Sequence, residues 1–395
     1  MKQGWEIKKL VEVCSLITDG DWIESRHQSE DGIRLIQTGN VGNGVFKAKD
    51  DKPHYISEST FAELGCSEIF AGDCLVSRLP DPVGRACIIP VTNCRMITAV
   101  DCSIIRFNSD IDSKFFIYYT QCEKYKRDID NNTTGTTRKR ISRKNLESIC
   151  IPVPPREEQE RIVAELDCLS GVIEKKKQQL KELDALAQSI FYTMFGDPIT
   201  NEKGWEVDRL GNLCEISSSK RIYAHEYCEN GVPFYRGKEI SEKSKGNDIS
   251  VELYISEERY SELKNKFGVP QIGDILLTAV GTIGNIWVVD SNTPFYFKDG
   301  NVLWLQAKEN INPIYFKALL YNLIDKYKES MANGCAYNAL TIVNLKEMKT
   351  NKIPYKLQQE FADKIEAIEK QKELIKQSIA QTEELFNSRM DYYFN

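Results

Sequence analysis

The chain has 395 residues, of which 41% are apolar, 28% charged and 10% aromatic, and its net charge is −6. This composition is typical of globular proteins and excludes a disordered or fibrous chain, while the length predicts more than one core. The first residues are not followed by an apolar run, so we expect a cytoplasmic protein without a membrane-spanning segment.

Cysteine and histidine usage argues against a metal site. The twelve cysteines are scattered and form no Cys-x-x-Cys pair, and the chain has three histidines, His27, His54 and His225. A structural zinc site needs four such ligands at close spacing. We therefore expect no metal, and cysteines that pack as small apolar residues.

The sequence repeats at an offset of about 200 residues. Gly4-Trp5-Glu6 recurs as Gly204-Trp205-Glu206, and Gly72-Asp73 recurs as Gly273-Asp274. Later landmarks recur at an offset of 199: Gly135 and Gly334, Leu146 and Leu345, Pro155 and Pro354, Gln159 and Gln358. A period this long indicates duplicated domains rather than a solenoid.

Each half begins with a globular pattern of short strands. Apolar segments bounded by turn residues predict strands at 74–78, 86–89 and 102–106, and again at 274–278 and 286–289. Aromatic-rich helical stretches follow at 114–125 and 314–327. The predicted class is α+β, with two repeated mixed α/β domains.

Each half ends in a long helix with a heptad seam. The predicted seam residues are Ile162, Leu166, Leu169, Ile173, Leu180, Leu183 and Ile190 in the first helix, and Phe361, Ile365, Ile368, Ile375, Ile379 and Phe386 in the second. A helix of 40 residues is about 60 Å long, too long to bury its seam in one small domain. We expect the helices to pair antiparallel; two unconnected surface helices are the alternative. The predicted boundaries are 1–155 and 197–354 for the globular domains, and 156–196 and 355–395 for the helices.

Catalytic motifs are incomplete in this sequence. Gly231–Lys238 has one residue too many between its glycines for a phosphate-binding loop. Pro80-Asp81 with Asp112-Ser113-Lys114 resembles a metal-dependent nuclease site, but the second half has no counterpart. The pattern indicates a binding protein, with an unrecognised methyltransferase or nuclease as the alternative.

A basic run in the first half predicts contact with DNA phosphates. Between residues 124 and 144 it contains two acidic residues and eight basic ones: Lys124, Lys126, Arg127, Arg138, Lys139, Arg140, Arg143 and Lys144. Thr136 and Thr137 lie within it, and such hydroxyl side chains suit DNA contacts. The alternative is a solvated loop. The second half is less basic, and its candidates are Lys326, Lys328, Tyr337 and Asn338. The predicted DNA-binding set also includes Arg78, Arg85, Arg236 and Lys238.

The layout resembles the specificity subunit of type I restriction-modification systems. The resemblance is carried by the paired Gly-Trp-Glu and Gly-Asp motifs, by Ile151-Pro-Val-Pro-Pro-Arg-Glu-Glu-Gln159 before the first long helix, and by Phe195-Gly196 at its end. The second helix departs from the pattern, because Ile353-Pro-Tyr-Lys-Leu-Gln358 lacks tandem prolines.

The resemblance implies a noncatalytic subunit with two target-recognition domains. Each domain would read one half of a split site in double-stranded DNA, and the paired helices, in a pseudo-twofold arrangement, would set the spacing. Methyltransferase subunits would dock on this chain, and a restriction subunit can join them. S-adenosylmethionine, ATP and Mg²⁺ are then expected only in the partner subunits, with no cofactor in this chain. A coiled-coil adaptor that binds only protein is a further alternative.

Overall fold

The computed structural model describes residues 4–135, 139–332 and 340–395, and for residues 329–332 it describes the backbone alone. The chain folds into two compact units. Unit 1 contains the residues up to Lys177 together with Lys376–Asn395, and unit 2 contains Gln178–Ile375.

Unit 1 is built around two sheets. The first is antiparallel, and its strands are, in spatial order, Cys14–Asp19, Cys102–Phe107, Cys74–Ser77 and Ala86–Ile88. The second has five short strands, in the order Gln28–Ser29, Tyr55–Ile56, Ile33–Ile36, Met96–Thr98 and Glu68–Ile69. Two smaller ladders pair Glu6–Lys9 with Cys150–Val153, and Thr133–Thr134 with Arg140–Ile141.

The helices of unit 1 begin at polar caps. Ser57, Asp112 and Ser142 each accept a hydrogen bond from a backbone N–H in the first turn, which satisfies a donor that the helix cannot. The α-helices before the first long helix are Glu58–Leu64, Ser113–Tyr119, Glu123–Asn131 and Arg143–Glu147. Short 3-10 turns occur at Leu10–Val13, Ser25–His27 and Thr38–Asn40.

Unit 2 repeats this plan. Its antiparallel sheet has the strand order Cys214–Ser218, Val302–Ala307, Ile275–Thr278 and Ile286–Val288. Its second sheet contains Tyr227–Cys228, Tyr254–Ile255, Val232–Tyr235 and Tyr296–Phe297, and a small ladder pairs Val207–Arg209 with Lys349–Asn351. Its helices before the second long helix are Leu210–Leu213, Gly237–Ser244, Glu257–Phe267, Pro313–Ala332 and Ile342–Glu347, with a 3-10 turn at Ala224–Glu226.

One predicted helix is divided. The sequence predicts a single helical stretch over 114–125, but the structure has two helices there, because Cys122 adopts an extended backbone and caps the second one. The Cys122 Sγ accepts a hydrogen bond from the Tyr125 N–H at 3.4 Å. In unit 2 the corresponding helix, Pro313–Ala332, is continuous.

A repeated glycine permits a close approach in both units. Gly84 and Gly284 have φ values of +81° and +91°, a region that favours glycine. A Cβ atom at Gly84 would lie 2.8 Å from Ile129, and one at Gly284 would lie 2.7 Å from Ile324. The repeat therefore preserves the close packing of a helix against the turn that follows the strand Cys74–Ser77 in unit 1 and Ile275–Thr278 in unit 2.

A repeated glutamine ties each long helix to its unit. In unit 1 the Gln159 side chain accepts a hydrogen bond from the Asp112 N–H at 2.8 Å and donates to the Pro154 carbonyl at 2.8 Å. In unit 2 Gln358 accepts from the Asn312 N–H at 2.9 Å and donates to the Ile353 carbonyl at 2.8 Å. Both glutamines are buried, so these bonds fix where each long helix begins.

The long helices are Arg156–Phe195 and Tyr355–Phe394, and segments of both pack together in each unit. In unit 1 Lys177 pairs with Glu383 at 2.9 Å, and in unit 2 Asp184 pairs with Lys372 at 2.7 Å. Within unit 1 Glu165 also pairs with Arg389, and within unit 2 the ring of Phe191 packs on that of Phe361 with centroids 5.8 Å apart. In each unit, rising residue numbers on one helix meet falling numbers on the other, which is antiparallel packing. The predicted fold class is thereby confirmed: two mixed α/β units and two long paired helices.

The predicted seam residues lie on the covered side of these helices. All thirteen are buried or half-buried, while the charged residues between them are mostly exposed. Ile162, Leu166 and Ile173 are buried in unit 1, and Phe361 and Ile368 in unit 2.

Candidate nucleic-acid interface

The basic segment of unit 1, residues 139–144, is held in place by backbone contacts. Ile141 is fully buried, and its N–H donates to the Arg78 carbonyl at 3.2 Å. The strand Arg140–Ile141 pairs with Thr133–Thr134, and Ser142 then caps the helix Arg143–Glu147. Buried apolar anchors therefore position the charged residues between them.

Four predicted cations are exposed on this scaffold: Lys139, Arg140, Arg143 and Lys144. Arg140 pairs with Asp101 at 2.9 Å, and Arg143 pairs with Glu147 at 3.2 Å. Such exposed pairs are weak and can exchange for phosphate contacts. Thr136, Thr137 and Arg138 lie outside the described residues.

Arg78 and Arg85 lie inside unit 1 and are almost fully buried. Arg85 donates to the carbonyls of Val41, Leu79, Pro82 and Thr38 at 2.7 to 2.8 Å. Arg78 donates to the Val100 carbonyl at 2.6 Å and pairs with Asp19 at 3.3 Å. Burial lowers the pKa of both guanidinium groups. Both arginines support the loops around the basic segment, and their contact with DNA stays a prediction.

The remaining cations of the predicted run lie elsewhere. Lys124, Lys126 and Arg127 belong to the helix Glu123–Asn131. The Lys124 N–H donates to the Asn395 side chain at 3.2 Å, and Lys126 pairs with Glu123 at 2.7 Å. This helix therefore lies against the end of the second long helix, whereas the segment with Arg140 and Arg143 is bonded to Arg78, directly after the strand Cys74–Ser77. The sequence run is two separate groups of charges.

A polar cavity of 330 Å³ adjoins the basic segment of unit 1. Gln37, Thr38 and Asp101 line it, and Asp101 is the partner of Arg140. Trp22, which is 67% exposed, stands at its edge. The sequence pattern does not predict Trp22, because an isolated aromatic residue in a loop gives no periodic signal.

Unit 2 repeats two contacts of this scaffold with different side chains. The Leu340 N–H donates to the Ala279 carbonyl at 3.0 Å, and Thr341 caps the helix Ile342–Glu347. At the positions of Arg143 and Lys144, this helix carries Ile342 and Val343, and Val343 is 69% exposed. Tyr337 and Asn338 lie outside the described residues.

The other predicted cations of unit 2 are half-buried or engaged with acids. Lys326 is half-buried on the helix Pro313–Ala332, and Lys328 pairs with Asp325 at 3.4 Å. Arg236 and Lys238 both bond to Glu252 at 2.7 Å. Hydrogen bonds from Lys238 and Arg236 lower the pKa of Glu252 to about 2.

The sequence pattern also does not predict an exposed pair of side chains in unit 2. Arg221 and Tyr223 project from the loop before the 3-10 turn Ala224–Glu226, and Tyr223 is stacked on His225 with ring centroids 5.8 Å apart. This loop corresponds to the Trp22 loop of unit 1. An exposed aromatic side chain in the same loop of both units could have been found by aligning the halves.

The described residues contain no group of three or more His, Cys, Asp or Glu side chains placed to hold a metal ion. Within the same part of the chain, none of the helices combines the length and apolar character needed to span a bilayer.

Comparison with known proteins connects both units to one family. Residues 2–185 and 202–384 each match the type I restriction modification DNA specificity domain. The chain is 28% identical over 264 residues to the putative type I restriction enzyme specificity subunit S.HindORF215P of Haemophilus influenzae, a match that covers 66% of each chain.

Two solved structures share the fold. One, from work on complex assembly and conformational transition of the type I R-M system, has a TM-score of 0.62 at 18% identity and covers 100% of this chain and 98% of that one. The other, the type I restriction-modification S subunit from M. genitalium, has a TM-score of 0.54 at 15% identity and covers 99% and 97%. Since the family domain matches most of both halves, this chain belongs to the type I restriction modification DNA specificity family.

Proposed function

We propose that this chain is the DNA-recognition subunit of a type I restriction-modification complex, in which each unit reads one half of a bipartite, asymmetric site. The observation that carries the proposal is one scaffold, present twice, with different exposed residues at matching positions. Arg143 and Lys144 in unit 1 correspond to Ile342 and Val343 in unit 2. Different side chains on one scaffold suit two different half-sites.

Recognition in unit 1 combines phosphate and base contacts. The exposed cations at 139–144 supply the phosphate contacts that position the domain, and Trp22 supplies a flat apolar surface beside them. In unit 2, Tyr223 and Arg221, which pairs with Asp299 at 2.9 Å, take this role.

The long helices set the spacing between the two half-sites and dock the methyltransferase subunits. Pairing within both units supports a stiff connection. Each helix region, 156–195 and 356–395, carries six basic and eight acidic residues, so its surface suits protein partners better than DNA.

The chemistry belongs to the partners. The methyltransferase subunits bind S-adenosylmethionine, and a restriction subunit that uses ATP and Mg²⁺ can join the complex. Because the substrate is chromosomal DNA, the complex works in the cytoplasm.

The experiment that tests this proposal is sequencing of methylated positions in DNA modified by the reconstituted complex. The expected result is one motif with two different halves separated by unspecified bases. Replacing Arg221 and Tyr223 with alanine should relax one half and leave the other unchanged, whereas Trp22→Ala should affect the opposite half. A continuous motif, or relaxation of both halves by either change, would reject the assignment.

A further inference from the structure

In unit 1, two aromatic rings fill the space between a short helix and the long helices. Tyr118, on the helix Ser113–Tyr119, packs on Phe386 with ring centroids 6.1 Å apart. The Tyr118 hydroxyl also donates to Asp167 at 2.7 Å, and the Lys114 ammonium pairs with the same carboxylate at 2.5 Å. The chain thus satisfies both the apolar space and the carboxylate by itself.

Equivalent positions in unit 2 follow from matching contacts. Asp112 bonds to Gln159 as Asn312 bonds to Gln358, which gives offsets of 200 for the short helix and 199 for the long ones. The rings agree, since Phe115 packs on Phe394 with centroids 5.4 Å apart, and Tyr315 packs on Phe195 at 5.0 Å.

At these equivalent positions, unit 2 has small side chains in place of the two aromatic rings. Ala318 replaces Tyr118, and Ala187 replaces Phe386. Both alanines line a groove of 800 Å³ in unit 2, together with Phe191, Phe361 and Ile365. Two large-to-small changes at one contact leave the space open.

The carboxylate of unit 2 that corresponds to Asp167 also lacks the groups that bond Asp167 in unit 1. Glu366 replaces Asp167, and the two groups that bonded Asp167 are replaced by Ile314 and Ala318. Glu366 is exposed and makes no hydrogen bond or ion pair with any residue that the structure describes. The neighbouring acids Asp184 and Glu369 are already paired with Lys372, at 2.7 and 2.8 Å.

Two further charged residues line the groove and are paired within the chain, Lys245 with Glu242 at 2.7 Å and Asp325 with Lys328 at 3.4 Å. Lys317 also lines the groove. It replaces Ile117, is half-buried, and interacts electrostatically with Glu369 and Lys372. Of the four carboxylates that line the groove, Asp184, Asp325 and Glu369 are paired within the chain, so Glu366 is the one available to an incoming group.

We propose that this groove receives a segment of a methyltransferase subunit that carries an aromatic side chain next to a lysine or arginine. The ring occupies the place that Tyr118 and Phe386 fill in unit 1, and the cation pairs with Glu366 as Lys114 pairs with Asp167. Buried aromatic anchors in pockets dominate protein interfaces, and the acidic helices favour a basic partner segment. The identity of the partner rests on the proposed function.

A consequence is that the two docking positions on this chain are not equivalent. Unit 1 fills the space with its own side chains, so a partner there cannot insert a ring. The copy of the methyltransferase subunit bound at unit 2 should therefore dissociate more slowly than the copy at unit 1.

The test is to fill the groove with the residues of unit 1. The double variant Ala187→Phe/Ala318→Tyr should keep the thermal stability of the chain and weaken binding of one methyltransferase copy by about 10- to 100-fold. Glu366→Gln should weaken the same copy by about 5-fold. Ala185→Phe, an exposed neighbour on the same helix that does not line the groove, is the matched control and should change nothing. Calorimetric titration with the purified methyltransferase subunit gives the affinities, and native mass spectrometry gives the stoichiometry.

The outcomes separate this inference from the proposed function. Unchanged binding of both copies to the filled variant and to Glu366→Gln overturns the groove assignment and leaves the proposed function standing. A wild-type chain that binds no methyltransferase overturns both. If the filled variant unfolds, methyltransferase binding by Glu366→Gln tests the groove assignment alone, because a change to this exposed side chain should leave the fold intact. A wild-type chain that dimerises in sedimentation, with the dimer lost in the filled variant, identifies a second copy as the occupant and also overturns the assignment.

Discussion

Unit 1 and unit 2 share the contacts that begin the long helix and pack the preceding helix, and they differ where side chains reach the surface. Both have a buried glutamine at the start of the long helix and a glycine under the following helix. By contrast, the exposed start of the helix after the basic segment is Arg143-Lys144 in one and Ile342-Val343 in the other. The duplication has kept the residues that determine the backbone and changed those available to partners.

The largest expected effect concerns the charges of unit 1. Changing Lys139, Arg140, Arg143 and Lys144 to glutamine should weaken DNA binding by the assembled complex about 100-fold at moderate salt. Each lost phosphate contact should also flatten the dependence of log affinity on log salt by roughly 0.9. Titrations at several salt concentrations measure both quantities.

The matched control is Val343→Gln, on the equivalent helix of unit 2. This change alters no charge and should leave the salt dependence unchanged. If the four changes in unit 1 also leave it unchanged, the basic segment is a solvated loop.

The aromatic contact gives the next effect, on stability. Phe386→Ala removes the ring that packs on Tyr118 and should destabilise the chain by about 2 kcal/mol, less than for a fully buried ring because Phe386 is half-buried. Ala187→Phe, at the equivalent position of unit 2, adds a ring to open space and should cost little. Chemical denaturation of both variants measures the difference, and equal destabilisation would contradict the contrast between filled and open contacts.

The contact made by Glu165 gives unit 1 a pH dependence that the equivalent positions of unit 2 lack. Glu165 accepts hydrogen bonds from Arg389 and from the Tyr393 hydroxyl, the latter at 2.6 Å. The bond from Arg389 is the main cause that lowers the pKa of Glu165. A depressed folded pKa stabilises the chain above the ordinary carboxyl range, and this contribution disappears as the pH falls through the folded value.

Glu165→Gln should therefore lower the melting temperature by a few degrees at neutral pH, about 1 kcal/mol, and this loss should disappear as the pH falls through the folded pKa of Glu165. Unit 2 has Lys364, Ile190 and Met194 at the equivalent positions, so Lys364→Gln is the control without a pH-dependent effect. A pH-independent loss in Glu165→Gln would show that packing, rather than charge, accounts for the contact.

The smallest effect concerns the cations of unit 2. Glu252→Gln removes the carboxylate that holds Arg236 and Lys238, and should strengthen DNA binding about 2- to 5-fold. Glu262→Gln, which removes the exposed partner of Arg259, is the matched change elsewhere in the unit. Weaker or equal binding in Glu252→Gln would remove Arg236 and Lys238 from the candidate interface.

Much of the fold could be predicted from local patterns. The repeat, the strand at 102–106 and the seam of the long helices follow from periodicity, because buried positions recur at fixed spacing. The division of the helix at Cys122 could not, because a cysteine is a rare cap and its apolar neighbours continue the helical pattern.

The candidate site was less predictable, because it depends on contacts between distant residues. Arg85 is buried because the fold brings the carbonyls of Thr38 and Val41 to its guanidinium group. The sequence around Arg85 contains no pattern that predicts these contacts. The run from Lys124 to Lys144 is continuous in sequence, but the structure divides its described cations between the helix Glu123–Asn131 and the segment 139–144. Trp22 joins the site through a cavity with Asp101, which is remote in sequence.

The central claim is that the paired helices set the distance between two different half-sites. The most direct test removes one heptad from each helix, residues 175–181 and 374–380, which keeps the seam in register and shortens the pair by about 10 Å. Methylated positions should then show the same two half-sites with a spacer about three base pairs shorter, at about 3.4 Å per base pair. Changed half-site bases with an unaltered spacer would contradict the account.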